Sequence, residues 1–218
     1  RAVTACKGTT CIYGNCDTQA IAEQLHHTFF EAWQTINLPH KFKIAVGGCP
    51  NSCMKPSLND FGIQGHLLFQ YKEEHCRSCH VCAVEKRCPV HAAVLENGKL
   101  KIDDTSCIHC GICSNACHFG AIEREAEPVF RIFVGGTWGK TTRMGTVLPQ
   151  YYHLNEIEHL LEKTLLWYRS NGYQKERFGA VIDRVGFEVF LSDITDDNLI
   201  KHKEDILALD IPQKNNNR

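Results

Sequence analysis

Cysteine is the residue type in this chain with the clearest potential for chemistry, and thirteen of the 218 residues are cysteine. Eight of them form two runs, each with three closely spaced cysteines and a fourth that follows. The runs are Cys76, Cys79, Cys82 and Cys88, and then Cys107, Cys110, Cys113 and Cys117. The C-x2-C-x2-C spacing lets three thiolates on one tight loop bind a cubane, while the fourth thiolate reaches the other cluster. The pattern therefore predicts two [4Fe-4S] clusters.

Each predicted cluster takes its fourth ligand from the other run. The first set is Cys76, Cys79, Cys82 and Cys117, and the second set is Cys107, Cys110, Cys113 and Cys88. Over about residues 73–123 the pattern resembles a bacterial two-cluster ferredoxin, with a longer spacer before Cys88 and with His118 in place of a proline. Paired C-x2-C spacing also suits tetrahedral zinc, which is the alternative.

Four further cysteines lie upstream, as Cys6 and Cys11 and, later, Cys49 and Cys53. Between the two pairs, a helix is predicted over residues 17–37, with Asp17 or Thr18 as its cap and apolar residues at helical spacing. Residues 39–46 then alternate like a half-buried strand and lead into the second pair. Because a helix and a strand return the chain to its starting point, we expect a third site with four thiolates.

Composition narrows the class of protein. With 24 basic and 25 acidic residues, the chain has no charge excess that would favour nucleic acid or an anionic membrane. No apolar run is long enough to cross a bilayer. We find no signal peptide, and so expect a reducing, cytoplasmic environment in which metal binding is the main role of the thiols. The first residue is Arg1, and we expect the chain to be a piece of a longer protein.

Hydrophobic patterning outside the cysteine runs predicts a mixed fold. Strands are expected over residues 61–72 and 129–134, and helices over residues 153–169 and 177–191, the latter broken near Gly186. We therefore predict an α/β (α+β-like) domain formed by residues 1–72 and 124–218, with a two-cluster ferredoxin domain inserted at residues 73–123.

The motif Gly48-Cys49-Pro50-Asn51-Ser52-Cys53, after an earlier Cys-x4-Cys pair, resembles the sirohaem and iron–sulfur domain of sulfite and nitrite reductases. The Lys-Phe-Lys sequence at 41–43 and the glycine-rich segment 135–139 also resemble this family. The family's first cysteine pair is usually one residue wider than Cys6-x4-Cys11. We choose Cys11 as the second ligand of the upstream site, which leaves Cys16 as a spare thiol. The alternative is that Cys16 is the ligand in place of Cys11.

This resemblance implies roles for individual residues. Cys53 would bind both the upstream cubane and the sirohaem iron, and Arg1, Lys41 and Lys43 would be the catalytic cations that bind the anionic substrate. Contacts to sirohaem are expected from Asn51, Gly136 and Lys140. The alternatives are structural, since lysines on an alternating strand are normally solvated and Pro-Asn readily starts a turn.

The implied function is the six-electron reduction of sulfite to sulfide, or of nitrite to ammonia, with electrons delivered through the inserted ferredoxin module. The implied partners are sulfite or nitrite, an N-terminal half of the same protein that is missing here, and an external electron donor, either ferredoxin-like or a partner protein of the same enzyme. A homo-oligomer is possible, and neither nucleic acid nor membrane insertion is expected. The competing hypotheses are an electron-transfer protein with three clusters and no sirohaem, and an iron–sulfur sensor.

Overall fold

A five-stranded mixed sheet forms the centre of the protein in a computed structural model that describes residues 2–214. Its strand order is β1-β2-β3-β8-β9, in which β1, β2 and β3 are parallel and β8 and β9 are antiparallel to their neighbours. The strands are β1 Ala2–Ala5, β2 Lys43–Gly47, β3 Phe61–His66, β4 Phe69–Tyr71, β5 Ala93–Glu96, β6 Lys99–Ile102, β7 Ile122–Arg124, β8 Val129–Val134 and β9 Thr146–Val147.

Helices pack against this sheet around one main hydrophobic core. The helices are α1 Thr18–His26, α2 Ala83–Arg87, α3 Ile112–Ala116, α4 Leu154–Asn171, α5 Phe178–Val185, α6 Phe187–Thr195, α7 Asn198–Lys201 and α8 Lys203–Ala208. Side chains from α1, α4, α5 and α6 share the core with those of β2, β3 and β8. The predicted mixed α/β architecture is confirmed.

Helix α1 connects β1 to β2 and so returns the chain to the neighbouring parallel strand. Asp17 caps it, because its carboxylate accepts hydrogen bonds from the N–H groups of Gln19 and Ala20 at 3.1 and 3.0 Å. The regular helix is shorter than the predicted 17–37. It ends at His26 and continues as a π-helical turn over His27–Glu31, which keeps Phe29 in the core.

The helices in the last third of the chain lie close to their predicted positions. The segment predicted over residues 177–191 divides at Gly186, whose φ of 111° is incompatible with continuing the helix. Strand β8 has the predicted bounds, whereas β2 begins at Lys43 rather than at residue 39. Among residues 2–214, no helix is both long and apolar enough to cross a bilayer.

The segment between β3 and β8 leaves and re-enters the sheet at one point, because His66 pairs with Val129. Within this segment β4 pairs with β7 and β5 pairs with β6, both antiparallel, and the two short helices α2 and α3 pack together with them. A separate hydrophobic cluster lies among these elements. It consists of Val84, Ala93, Leu100, Ala116 and Ile122, with Cys76, Cys82, Cys88, Cys113 and Cys117 packed against it.

Candidate functional site

The upstream cysteines lie where two neighbouring parallel strands end. Cys6 follows β1, and Cys49 comes two residues after β2. Ala5 is in register with Val46, so the carboxyl ends of both strands meet at one edge of the sheet. The Cys6 N–H donates to the carbonyl of Val46 at 3.0 Å. This edge is where open α/β sheets commonly bind ligands.

Two glycines allow the loops after these strands to approach closely. A Cβ atom on Gly48 would lie 3.0 Å from the Cα of Gly8, and one on Gly8 would lie 3.1 Å from the Cα of Gly48. The N–H of Gly48 then donates to Sγ of Cys6 at 3.2 Å. Backbone donors of this kind stabilise a thiolate that is bound to a metal cluster.

All four predicted upstream ligands line one open cavity of about 890 Å³. Cys6, Cys11 and Cys49 are half-buried, whereas Cys53 is exposed. The other lining residues are Ala5, Lys7, Gly8, Thr10, Ile12, Tyr13, Gly14, Asn51 and Met54. The donor set is therefore four thiols around one space, with the last cysteine accessible from solvent.

Electrostatics also indicate that these four thiols are close together. The pKa of Cys49 is raised chiefly by burial, and Cys53, Cys6 and Cys11 raise it further through their negative charge. The N–H of Asn51 opposes this shift by donating a hydrogen bond to the Cys49 thiolate. A cationic cluster would reverse the effect of the neighbouring thiolates, because they would then be its ligands.

Cys16 lies outside the residues that line this cavity. It packs against the main core and lies beside Gly65, where an added Cβ would be 3.0 Å from its sulfur. Burial, with smaller contributions from Cys6, Asp17 and Cys49, raises the pKa of Cys16 to about 12. Of the two candidates for the second upstream ligand, the structure thus places Cys11 and not Cys16 in the cavity.

The second crossed set of cysteines also lines a single cavity. Cys88 from the first run meets Cys107, Cys110 and Cys113 from the second run, and the other lining side chains are mainly apolar. The N–H of His109 donates to Sγ of Cys107 at 3.4 Å. Burial raises the pKa of Cys113 to about 11, and Cys110 and Cys107 add to the shift.

The first crossed set is less enclosed. Cys76, Cys82 and Cys117 pack against the small hydrophobic cluster, and Cys79 is half-buried. The pKa of Cys76 is lowered by the N–H of Ser78 and by the hydroxyl of Tyr71. This hydroxyl is buried beside the thiol without a well-formed hydrogen bond, and so could donate to a cluster ligand.

Within residues 2–214, no group of three or more His, Cys, Asp or Glu side chains is arranged around a position for a single metal ion.

Comparison with known proteins identifies the family. The model of the nitrite and sulphite reductase 4Fe-4S domain matches residues 1–203. The chain belongs to this family. The resemblance of the Gly48–Cys53 motif to this family is thereby confirmed.

Several sulfite reductases are similar to the chain. The coenzyme F420-dependent sulfite reductase of Methanocaldococcus jannaschii is 33% identical over 197 residues, which are 89% of this chain and 30% of that protein. A component of the anaerobic sulfite reductase of Salmonella typhimurium is 33% identical over 166 residues, 74% of this chain and 47% of that component. The chain therefore spans less than half the length of both.

A solved structure shares the fold. The crystal structure of dissimilatory sulfite reductase I superposes with a TM-score of 0.66 at 23% sequence identity. The match covers 99% of this chain and 55% of the other. It supports the mixed α/β arrangement as one that occurs in sulfite reductases.

Two of the three cations implied by the family resemblance, Lys41 and Lys43, are not among the residues that line this cavity. Lys43 is the first residue of β2 and Lys41 precedes it, whereas Cys49 follows the other end of the strand. The N–H of Lys43 donates to the buried Asp60 at 2.9 Å, and Lys41 is exposed. Neither lines the cavity, and Arg1 lies outside the described residues.

One cation in the cavity was missed by sequence reasoning. Lys7 lines the cavity and is the basic residue among the lining residues that the structure describes. It directly follows Cys6, which is the signal that could have identified it. Its side chain is exposed.

The three residues expected to contact sirohaem lie in different places. Asn51 lines the cavity. Gly136 packs against backbone, since an added Cβ would lie 2.4 Å from the carbonyl oxygen of Ser57. Lys140 is exposed in the loop that follows. The glycine at 136 thus has a packing reason that is independent of any cofactor.

Proposed function

We propose that this chain is the sirohaem-binding part of a reductase that converts sulfite to sulfide, or nitrite to ammonia. The observation that carries the proposal is the cavity shared by Cys6, Cys11, Cys49 and Cys53, in which the last cysteine is exposed. An exposed fourth thiol can serve a second metal centre on its open side, and this is the role that the family resemblance implies for Cys53.

We propose that the cysteines hold three clusters. Cys6, Cys11, Cys49 and Cys53 would hold the upstream [4Fe-4S] cluster, and Cys53 would also bind the sirohaem iron. Within the inserted ferredoxin module, Cys88, Cys107, Cys110 and Cys113 would hold one cluster and Cys76, Cys79, Cys82 and Cys117 the other. The six-electron redox chemistry belongs to these groups when they are bound.

The chain's own residues bind and orient these groups and the substrate. The N–H groups of Gly48 and Asn51 donate to the thiolates of Cys6 and Cys49 and so stabilise their negative charge. Asn51 lines the same cavity and would contact the edge of a tetrapyrrole bound there. Lys7 supplies positive charge that attracts an oxyanion and can donate a proton to its departing oxygen. We therefore propose Lys7, in place of Lys41 and Lys43, as the substrate-binding cation of this chain.

The remaining partners follow from the same proposal. Electrons would enter the ferredoxin module from an external donor, and the rest of the protein, which the relatives possess beyond the matched region, would complete the sirohaem pocket. We place the protein in the cytoplasm, where thiols stay reduced.

The test uses the full-length protein, produced in cells that make sirohaem. We expect strong visible absorption bands that iron–sulfur clusters lack, and formation of sulfide from sulfite with a reduced viologen as the donor. Parallel assays with nitrite identify the preferred anion. A protein that contains clusters, shows only their broad absorption and reduces neither anion would be an electron carrier or sensor, and the proposal would fail.

A further inference from the structure

A chain of buried polar side chains runs along β3 and connects two of the cysteine sites. The amide of Gln64 lies between Ser52 and His66, with its Nε2 atom 2.5 Å from Oγ of Ser52 and its Oε1 atom 2.9 Å from Nε2 of His66. On the other side of the ring, Nδ1 of His66 lies 2.9 Å from the carbonyl oxygen of Ile108. Gln64 and His66 are 5% and 1% exposed.

The two ends of this hydrogen-bonded series of side chains lie in loops that carry proposed cluster ligands. Ser52 lies between Cys49 and Cys53, and its φ of 54° is in the left-handed region, so the loop needs support from its surroundings. Ile108 directly follows Cys107 in the second triplet. Gln64 and His66 therefore tie an upstream ligand loop to a ligand loop of the inserted segment.

Other contacts fix the same junction. The N–H of Leu67 donates to the carbonyl of His109 at 2.9 Å. An added Cβ on Gly111 would lie 2.7 Å from Leu67, so the second-triplet loop fits tightly against the end of β3. The second-triplet loop is therefore held against the end of β3, the strand that also carries Gln64 and His66.

All hydrogen bonds in this series of side chains donate in the same direction, from Ser52 towards Ile108. Burial lowers the pKa of His66 to about 4, so the ring is neutral at pH 7. A carbonyl only accepts, and Nδ1 must therefore carry the proton and Nε2 must accept. Nε2 of His66 therefore needs a donor, which the NH2 group of Gln64 provides if the amide is rotated by a half-turn. The Gln64 oxygen then accepts a hydrogen bond from the Ser52 hydroxyl.

We propose that Gln64 and His66 are positioning residues that hold the second-triplet loop against the Cys49–Cys53 loop, and that the site of Cys88, Cys107, Cys110 and Cys113 is the one coupled to the upstream site. This inference rests on the proposed cluster sites. It assigns an order within the inserted module: the set that contains Cys76 lies on the donor side, and the set that contains Cys107 lies on the side of the upstream site.

The test compares His66→Phe with His75→Phe in the iron-loaded chain. His75 is a matched control, because its Nδ1 also lies near a carbonyl, that of Gly120 at 3.2 Å, but it is exposed and lies beside the first set. The first measurement uses the electron paramagnetic resonance spectrum of the reduced chain. The signal of the upstream cluster is identified as the one that a Cys49→Ser chain lacks. The quantity measured is the magnetic broadening of that signal. The second measurement is the hydrogen exchange of the Leu67 amide.

We expect His66→Phe to keep its iron but to lose most of this broadening, and to exchange the Leu67 amide about tenfold faster or more, as local opening becomes easier. His75→Phe should leave both unchanged. If His66→Phe does not retain iron, Ser52→Ala, which removes only the terminal hydroxyl, must change both measurements in the same direction. Unchanged broadening and exchange in an iron-replete His66→Phe or Ser52→Ala chain would overturn the inference.

Failure of the proposed function gives a different result. A wild-type chain that binds no iron under reconstitution would contradict the cluster sites themselves. The exchange of the Leu67 amide in that iron-free chain would still report whether His66 holds the loop, and no effect of His66→Phe on it would overturn the positioning role separately.

Discussion

At the scale of single residues, the arrangement of the upstream site depends on which thiols face the shared cavity. Cys11 lines it, whereas Cys16 packs against the core next to Gly65. Sequence spacing alone left both cysteines as candidates, because it does not show which side of a loop faces the core. Both are half-buried, and the fold separates them because Cys11 lines the cavity while Cys16 packs against the core.

Substitution of these two cysteines should therefore have different effects. We expect Cys11→Ser to lose the upstream cluster, so that iron in the reconstituted chain falls by about four atoms. Cys16→Ser should keep its full iron content, since its sulfur is a packed thiol. Iron and acid-labile sulfide analysis of both variants is the measurement. Iron loss from Cys16→Ser with none from Cys11→Ser would reverse the assignment.

The cations of the site give a second comparison between residues. Lys41 and Lys43 were expected in the site because the Lys-Phe-Lys sequence resembles that of the family, and neither lines the cavity. However, a residue before a strand and a residue after it lie at opposite ends, and a five-residue strand spans about 16 Å. Lys7 follows Cys6 and lies on the side of the cavity.

We expect Lys7→Gln in the full-length reductase to raise the KM for sulfite about tenfold, as is typical for the loss of one charge-assisted contact. The matched variant Lys41→Gln should leave KM unchanged, because Lys41 is exposed and lies outside the cavity lining. Steady-state kinetics at constant ionic strength would check both. A larger rise in KM for Lys41→Gln than for Lys7→Gln would contradict this assignment and support Lys41 as the substrate-binding cation that the family resemblance implies.

At the scale of elements, strands and helices with strong hydrophobic periodicity were predictable. Strand β8 has the predicted bounds, and the break at Gly186 follows from a residue that tolerates a φ of 111°. Helix α1 was predicted too long, because the apolar spacing continues past His26 while the backbone changes to a π-helical turn. The spacing of apolar residues indicates which residues are buried, but it does not distinguish an α-helical turn from a π-helical one.

A buried ion pair joins Asp60, directly before β3, to Arg177 at the start of α5, and sequence patterns gave no sign of it. Asp60 is fully buried and accepts two hydrogen bonds from Nη2 of Arg177 at 2.8 and 2.9 Å, and a third from the N–H of Lys43. Burial raises the pKa of Asp60 although Arg177 opposes the shift. The folded state thus binds a proton more readily than the unfolded chain, and this group's contribution to stability falls as pH rises.

Removal of Arg177 should show how much the buried Asp60 carboxylate destabilises the fold when it has no partner. We expect Arg177→Leu to lower the free energy of unfolding by about 3–5 kcal/mol at pH 8, because it leaves a buried carboxylate unpaired. The loss should be smaller at pH 5, where Asp60 can be neutralised by a proton. Urea unfolding at the two pH values measures both. Arg184→Leu, which removes a more exposed pair with Glu176, is the control, and an equal loss in both variants would contradict the buried-charge explanation.

At the scale of the whole molecule, the inserted segment is attached at one register pair of the sheet. His66 and Val129 are opposite each other in β3 and β8. The sequence predicted an inserted module from its cysteine spacing, but the bounds of the junction depend on strand pairing. They could not be derived from residues that are far apart in the chain.

This attachment predicts that the segment can be removed. Replacement of residues 67–128 by Asn-Gly, which closes a two-residue hairpin between antiparallel strands, should leave a folded sheet domain. We expect the shortened chain to unfold cooperatively and to bind about four iron atoms. Circular dichroism and iron analysis check this. A chain that folds but binds no iron would contradict an upstream site that is formed by the sheet domain alone.

We propose that twelve of the thirteen cysteines form three separate four-thiolate sites for iron–sulfur clusters. The most direct measurement is the iron, acid-labile sulfide and zinc content of the reconstituted chain. We predict about twelve iron and about twelve sulfide per chain, with no zinc. About eight iron atoms, which would leave the cavity of Cys6, Cys11, Cys49 and Cys53 without a cluster, or zinc in place of iron would contradict it.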